Sequence, residues 1–275
     1  MRPLRLESRL AARVWGGTRL GTAGDGQPAG EAWVLHEDNR VQGGSFGSHP
    51  LRELAQELPQ DLLGTHTRGV RFPLLIKLLG CADWLSVQVH PNDAQAQRLV
   101  GPGELGKTEA WYILKAQPGA QPIAGVREGT SPERLRGAVL SGQVMDHAAY
   151  QAVGPGDTVF MPAGRLPALG PGLFLHEVQQ TPDTTYRVYD RDRPASAGRT
   201  LHPAKRPEVT TTQPAALALP LAPGVRRERL RCDHFVLDEV REDTRLASTP
   251  TAKAFMPSRC RTDRDSSIQL KKRWI

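Results

Sequence analysis

The stretch SVQVHPND, residues 86–93, alternates valines with polar side chains. In a β-strand successive side chains point to opposite faces. With the two preceding residues included, Trp84, Ser86, Gln88 and His90 share one face, and Leu85, Val87 and Val89 the other. The valine face reads as core, and the polar face as the lining of a cavity or a polar surface.

Similar short runs recur on both sides of it. RFPLLIKLL (71–79), EAWYILKA (109–116), QPIAGV (121–126), DTVFMP (157–162), GLFLHEVQ (172–179) and TTYRVYD (184–190) are each punctuated by Gly, Pro or Asp. Such spacing predicts an all-β antiparallel sandwich or barrel. Helices are few. SHPLRELAQELPQDLLG (48–64) carries leucines at 51, 54, 58 and 62, with Pro59 as a breaker. Ser131 is placed to cap a helix that starts with Pro132, and NDAQAQRLV (92–100) predicts a third, short helix. The Thr/Pro/Ala-rich stretch 210–224 reads as a linker between a domain over 1–209 and a segment over 225–275. That last segment holds one strand candidate, 233–240, and from about residue 243 the pattern fails, which predicts a frayed basic tail.

The chain has 275 residues, enough for one large β domain or two smaller ones, and carries a net charge of +7. The basic residues of the first 200 positions are scattered, and no nucleic-acid signature accompanies them, so a nucleic-acid partner is not expected. Three cysteines, at 81, 232 and 260, lie too far apart for a disulfide framework or a cysteine zinc site. The N-terminus, MRPLRLESRLAARVWGG, has no apolar core of signal-sequence length, and no apolar run in the chain is long enough to span a membrane, so a cytoplasmic protein without membrane partners is expected.

The chemistry gathers around GELGKTEAWYIL (103–114). Glu109 shares a strand face with Trp111 and Ile113. A carboxylate on such an inward face is costly unless it is paired or bound to a metal. Gln88, His90 and Glu109 together offer oxygen and imidazole nitrogen, a set suited to zinc or a similar divalent ion.

PLLIKLLGCADWLSVQVHPND followed by GKTEAWYIL resembles the type I mannose-6-phosphate isomerases in their short bacterial form. PGDTVFMPAG (155–164), EVQQTPDTTYRVYDRDR (177–193) and LHPAK (201–205) continue the resemblance in the same order, and GEAWVLHED (30–38) resembles an early family segment. The resemblance spans residues 10–240. It implies a cupin jelly-roll with a zinc ion inside the barrel, and interconversion of mannose 6-phosphate and fructose 6-phosphate through a cis-enediol. It also implies Gln88, His90 and Glu109 as metal ligands, Ser86 and Lys77 as contacts to the sugar phosphate, and Arg187, Lys107 and Glu177 as catalytic residues. The family's fourth ligand, a histidine, falls on Pro167, which has no donor atom in its side chain. His176 is close in sequence, but alternation with Glu177 turns it to the opposite face. Val34 stands where a glutamate is common in the family, and the C-terminal segment is too short to close a second barrel. Two readings stay open at this point: a working isomerase with three protein ligands, and a degenerate cupin that binds a sugar phosphate or metal without efficient catalysis.

Overall fold

The computed structural model describes residues 3–64, 71–181, 184–193, 206–213, 217–218, 226–241 and 266–271. By spatial contacts the chain forms two compact units: Ser8–Leu35 with Leu74–Leu217, and Met1–Glu7 with His36–Pro73 and Ala218–Ile275. Residues 1–7 and 36–73 thus belong to the second of these units. Compactness follows contacts in space, which chain order does not reveal.

The first unit carries the site. Its strands are β1 (Arg9–Ala12), β2 (Ala29–Leu35), β3 (Leu74–Gly80), β4 (Val87–Val89), β5 (Glu109–Ala116), β6 (Ile123–Val126), β7 (Ala148–Tyr150), β8 (Thr158–Met161), β9 (Pro167–Ala168), β10 (Leu173–Gln180) and β11 (Tyr186–Tyr189). The large sheet runs β1-β2-β3-β10-β5-β8-β12, where β12 (Leu217–Ala218) lies at the point where the chain leaves this unit. Two small sheets, β11-β4 and β7-β6-β9, complete it. The pairings β1–β2, β2–β3, β3–β10, β10–β5, β5–β8, β11–β4, β6–β7 and β6–β9 are antiparallel. This is the all-β jelly-roll architecture expected of a cupin.

The alternation of side chains builds two apolar layers. Leu79, Trp111, Ile113, Val159, Met161, Leu173 and Leu175 point to the inner side of the large sheet and form one core. Val87, Val89, Ile123, Val126, Leu166, Ala168, Tyr186 and Val188 form the other, on the outer side of the small sheets. Leu135 and Val139 of helix α4 (Pro132–Ser141) cover that second core. The faces of β4 and β11 opposite those valines and tyrosine are left to Gln88 and Arg187.

The helices follow their sequence signals. Asn92 caps α3 (Asp93–Leu99) through a reciprocal capping box with Gln95. Ser131 Oγ accepts from the Arg134 amide at 3.3 Å at the start of α4. In the second unit Pro59 splits the leucine-rich stretch into α1 (Leu51–Glu57) and α2 (Pro59–Leu63). Among the described residues no helix is long and apolar enough to cross a membrane.

Two expectations are corrected. The strand expected over 84–90 is regular only at Val87–Val89. Trp84 packs against the same core as Val87, and Leu85 against the inner core, the reverse of strict alternation. The backbone at 82–86 is bent or irregular, so the strand parity begins only at Ser86. The tail expected to fray from 243 contains β15 (Ser266–Lys271), paired antiparallel with β14 (Val236–Arg241), which also pairs with β13 (Arg226–Arg231). Ile268 and Leu270 alternate there with Ser267, Gln269 and Lys271, a period-2 pattern masked by the basic residues around it. The remainder of that tail and of the expected linker lies outside the described residues.

His176 is buried on the outer face of β10, between Leu78 and Tyr112 in register. It lies away from Glu177, as alternation requires. Burial lowers its pKa from 6.5 to about 4. The folded state thus prefers neutral His176, and its contribution to stability is present above pH 6.5 and lost as pH falls from 6.5 toward 4. Between pH 7 and pH 5 the loss should be about 2 kcal/mol by linkage. Urea unfolding at the two pH values should show a His176→Gln variant losing less stability than wild type by about that amount. Equal losses would mean that His176 takes up its proton as readily when folded as when unfolded.

Candidate active site

The HPND and GKTE motifs are stitched together at the backbone. Gly106 lies so close to residues 91–93 that an added Cβ would sit 2.5 Å from the Asn92 carbonyl carbon, so only glycine fits. Lys107 N donates to Pro91 O at 2.9 Å, and Gly106 N donates to Asp93 Oδ1 at 2.7 Å. Gln180 then ties both to β10: its Nε2 donates to Asp93 Oδ1 at 3.1 Å, and its Oε1 accepts from the Thr108 amide at 2.9 Å. These contacts bring the end of β4, the start of β5 and the end of β10 together, and with them His90, Glu109 and Glu177.

At this junction Glu109 is almost fully buried. Its Oε2 lies 3.2 Å from Lys107 Nζ and 3.7 Å from His90 Nε2. Burial alone would raise its pKa, but the charges of Lys107 and His90 outweigh burial and bring it down to about 2. The other nitrogen of His90, Nδ1, is 3.3 Å from Thr185 Oγ1, an interaction that orients the ring and leaves Nε2 facing the carboxylate.

A second ion pair lies one row along the inner face. Lys77, Glu177 and Trp111 are register neighbours on β3, β10 and β5. Lys77 Nζ is 3.1 Å from Glu177 Oε1, and Trp111 Nε1 donates to Glu177 Oε2 at 3.2 Å. Burial raises the pKa of Glu177, against the pull of Lys77 and with the help of the Glu109 charge. Two carboxyls on one inner face are thus pushed in opposite directions.

The small sheet β11-β4 carries a third group. Arg187 is the register partner of Gln88. Gln88 Nε2 donates to Ser86 Oγ at 2.9 Å, and Arg187 Nε donates to the same oxygen at 3.4 Å. Pro167 sits on β9 between Leu166 and Ala168, both in the core with Val87 and Val89. It therefore takes the face of its small sheet that Gln88 and Arg187 take on theirs.

The expected site residues thus fall into three contact groups: His90–Glu109–Lys107, Lys77–Glu177 with Trp111, and Ser86–Gln88–Arg187. Among the described residues no three His, Cys, Asp or Glu side chains gather as a metal site. A donor set for a metal would therefore draw on the His90–Glu109 pair and the Gln88 amide. A buried carboxylate oxygen 3.7 Å from an imidazole nitrogen suits such an ion, since two ligands of one tetrahedral zinc stand about 3.4 Å apart. Sequence reasoning missed Asp93, Gly106 and Gln180. The glycine before Lys107 was the available signal, because a glycine in a motif often marks a close backbone approach.

The model of the type I phosphomannose isomerase catalytic domain matches residues 4–109. The chain is 41% identical over 229 residues to the mannose-6-phosphate isomerase of Streptococcus mutans, a match covering 79% of this chain and 71% of that protein. It is 40% identical over 216 residues to ManA of Bacillus subtilis, covering 75% and 67%. The crystal structure of the Bacillus subtilis mannose 6-phosphate isomerase superposes with a TM-score of 0.78 and 31% identity, over 88% of this chain and 80% of that one. A zinc-bound mannose 6-phosphate isomerase structure, at 16% identity and a TM-score of 0.68 over 86% of this chain and 83% of that one, shares the fold. Sequence identity sustained over more than two thirds of full-length relatives, on the same fold, places the chain in the type I mannose-6-phosphate isomerase family.

Proposed function

We propose that this chain interconverts mannose 6-phosphate and fructose 6-phosphate by moving a proton between C1 and C2 of the sugar, with zinc as cofactor. The reading rests on one observation above the others: two buried ion pairs, Lys107–Glu109 and Lys77–Glu177, face one interior, with His90 beside the first. The family relationship favours this reading over a cupin that only binds.

The roles follow from position. Gln88, His90 and Glu109 would hold the zinc. Bound there, zinc would polarise the sugar oxygens as a Lewis acid. Ser86 and Lys77 would receive the anionic phosphosugar with a hydroxyl and an ammonium group. Glu177, whose pKa burial raises, and Lys107 are the groups at which the migrating proton would be taken up and returned. Arg187 would stabilise the negative charge that develops on the enediolate oxygens. Burial of the two pairs excludes bulk water, so that these charges act in a low dielectric.

The test is formation of fructose 6-phosphate from mannose 6-phosphate by the zinc-supplied protein, with free mannose as the comparison. Turnover of the phosphorylated sugar and neglect of the free one is expected. Binding of mannose 6-phosphate without turnover would support the non-catalytic reading instead.

Pro167 gives a second prediction. With three protein ligands the site should hold zinc more weakly than a four-ligand site would. Pro167→His should raise zinc affinity by about 10-fold or more and raise activity with it, a gain of the order that even outer-shell contacts control. Pro167→Ala is the control, because removing proline also frees φ and restores an amide donor. Equal zinc affinity in the two variants would show that position 167 cannot reach the ion.

A further inference from the structure

A third ion pair, with a buried carboxylate and a guanidinium whose side chain is 35% exposed, lies on the same inner face, beyond the groups given roles above. Glu31 of β2 is buried and accepts from Arg13 Nε at 2.9 Å, from Arg13 Nη2 at 3.0 Å and from Trp33 Nε1 at 2.8 Å. The bidentate guanidinium fixes the carboxylate, and the carboxylate fixes the edge of the indole. The Trp33 ring is flanked by two cations on the neighbouring strands. Arg9 of β1 is 5.4 Å from its centroid and Lys77 of β3 is 5.6 Å from it. Register explains the arrangement, since Arg9, Trp33, Lys77, Glu177 and Trp111 are successive cross-strand partners over β1-β2-β3-β10-β5.

We infer that Trp33 is a positioning residue for the isomerase site: its ring face holds the Lys77 ammonium against Glu177, and Glu31, clamped by Arg13, holds the ring. Lys77 has four rotatable side-chain bonds, and a long flexible ammonium loses entropy when it is held in one place. An aromatic face within 6 Å attracts it, and more strongly where water is excluded. Salt bridges of Lys77 to Glu177 and cation–π contact to Trp33 come from opposite sides of the lysine strand, on β10 and β2. The ammonium is therefore held from both sides of its strand. The inference rests on the proposal that the Lys77–Glu177 pair is part of the active site.

The experiment is a double-mutant cycle on the zinc-supplied full chain. Trp33→Leu removes the ring and Trp33→Phe keeps an aromatic face, and both are made in the wild type and in Lys77→Ala. Trp33→Leu should lower kcat/KM for mannose 6-phosphate about tenfold, the order of one desolvated cation–π contact, and mainly through KM. Trp33→Phe should stay within about threefold of wild type, because the face is kept and only the tether to Glu31 is lost. In the Lys77→Ala background Trp33→Leu should cost less than about twofold, because its target is gone. If Trp33→Leu does not fold, Trp33→Met, which fills more of the volume without an aromatic face, replaces it with the same expected loss and the same cycle. An undiminished tenfold cost in Lys77→Ala would assign the effect to general packing and overturn the inference. Wild-type speed in Trp33→Leu would overturn it as well. In both of those cases the wild type is active and the site assignment stands. Absence of turnover in the zinc-supplied wild type would instead defeat the site assignment, and the inference with it.

Discussion

Glu109→Ala is expected to lose zinc and activity together, with zinc affinity falling by more than about 100-fold, the upper end of what even outer-shell losses cost. Glu109 is the one carboxylate proposed as a ligand, and its Oε2 is 3.7 Å from His90 Nε2. The substitution also leaves the buried ammonium of Lys107 and the ring of His90 without the negative charge beside them. Breaking a buried pair in this way is strongly destabilising, by about 3–5 kcal/mol. Glu109→Gln keeps the volume and one acceptor oxygen, and separates the two effects. It should fold better than Glu109→Ala yet bind zinc far more weakly than wild type, because a neutral amide replaces an anionic ligand. Metal content after gel filtration and thermal unfolding of both variants measure the two quantities. Zinc retained by Glu109→Ala at wild-type stoichiometry would remove Glu109 from the ligand set.

Arg187→Ala is expected to lower kcat by about 10²–10³-fold, the usual cost of removing one donor to a developing oxyanion. Its KM should change little, because enediolate charge appears only on the way to the transition state. The location of Arg187 on β11, opposite Gln88 and 3.4 Å from Ser86 Oγ through its Nε, sets it beside the proposed ligand and the proposed phosphosugar contact. Ser86→Ala provides the contrast. A hydroxyl that meets the substrate equally in ground and transition states contributes to KM, so this variant should bind more weakly and turn over at nearly the wild-type kcat. Steady-state kinetics on the two proteins read the split directly. An Arg187→Ala enzyme with wild-type kcat, or one whose loss lies wholly in KM, would mean that Arg187 binds ground-state substrate and not the transition state.

The parts of this site legible in sequence are those governed by local periodicity. The alternation of Ser86, Gln88 and His90 against Val87 and Val89 needs only the pleat of a strand, and the structure keeps it. The same rule put Glu109 on the face of Trp111 and Ile113, and His176 on the face away from Glu177. Pro59 and Ser131 marked helix boundaries because caps and breakers act within one turn. The rule failed at Trp84 and Leu85, where the chain bends before β4 and the period no longer applies.

Pairings were not legible. Lys77 and Glu177 are one hundred residues apart, and their 3.1 Å contact depends on the register of β3 against β10. One step of slippage would turn every inward side chain outward. The Arg13–Glu31–Trp33 cluster was hidden for the same reason, since Arg13 lies beyond the end of β1 and meets Glu31 across it. The contribution of Asp93, which joins Gly106 to Gln180, required three segments to be in place at once.

The central claim, a zinc-dependent isomerase built on Gln88, His90 and Glu109, is tested most directly by adding zinc back to stripped protein. The protein is dialysed against a chelator, freed of the chelator, and titrated with zinc while fructose 6-phosphate formation from mannose 6-phosphate is followed. Activity should be lost on stripping and return to saturation with about one zinc per chain, the number one such ligand set would hold. Glu109→Ala should remain inactive across the same titration. Undiminished turnover by the stripped protein, or full recovery of the Glu109→Ala variant with zinc, would contradict the claim.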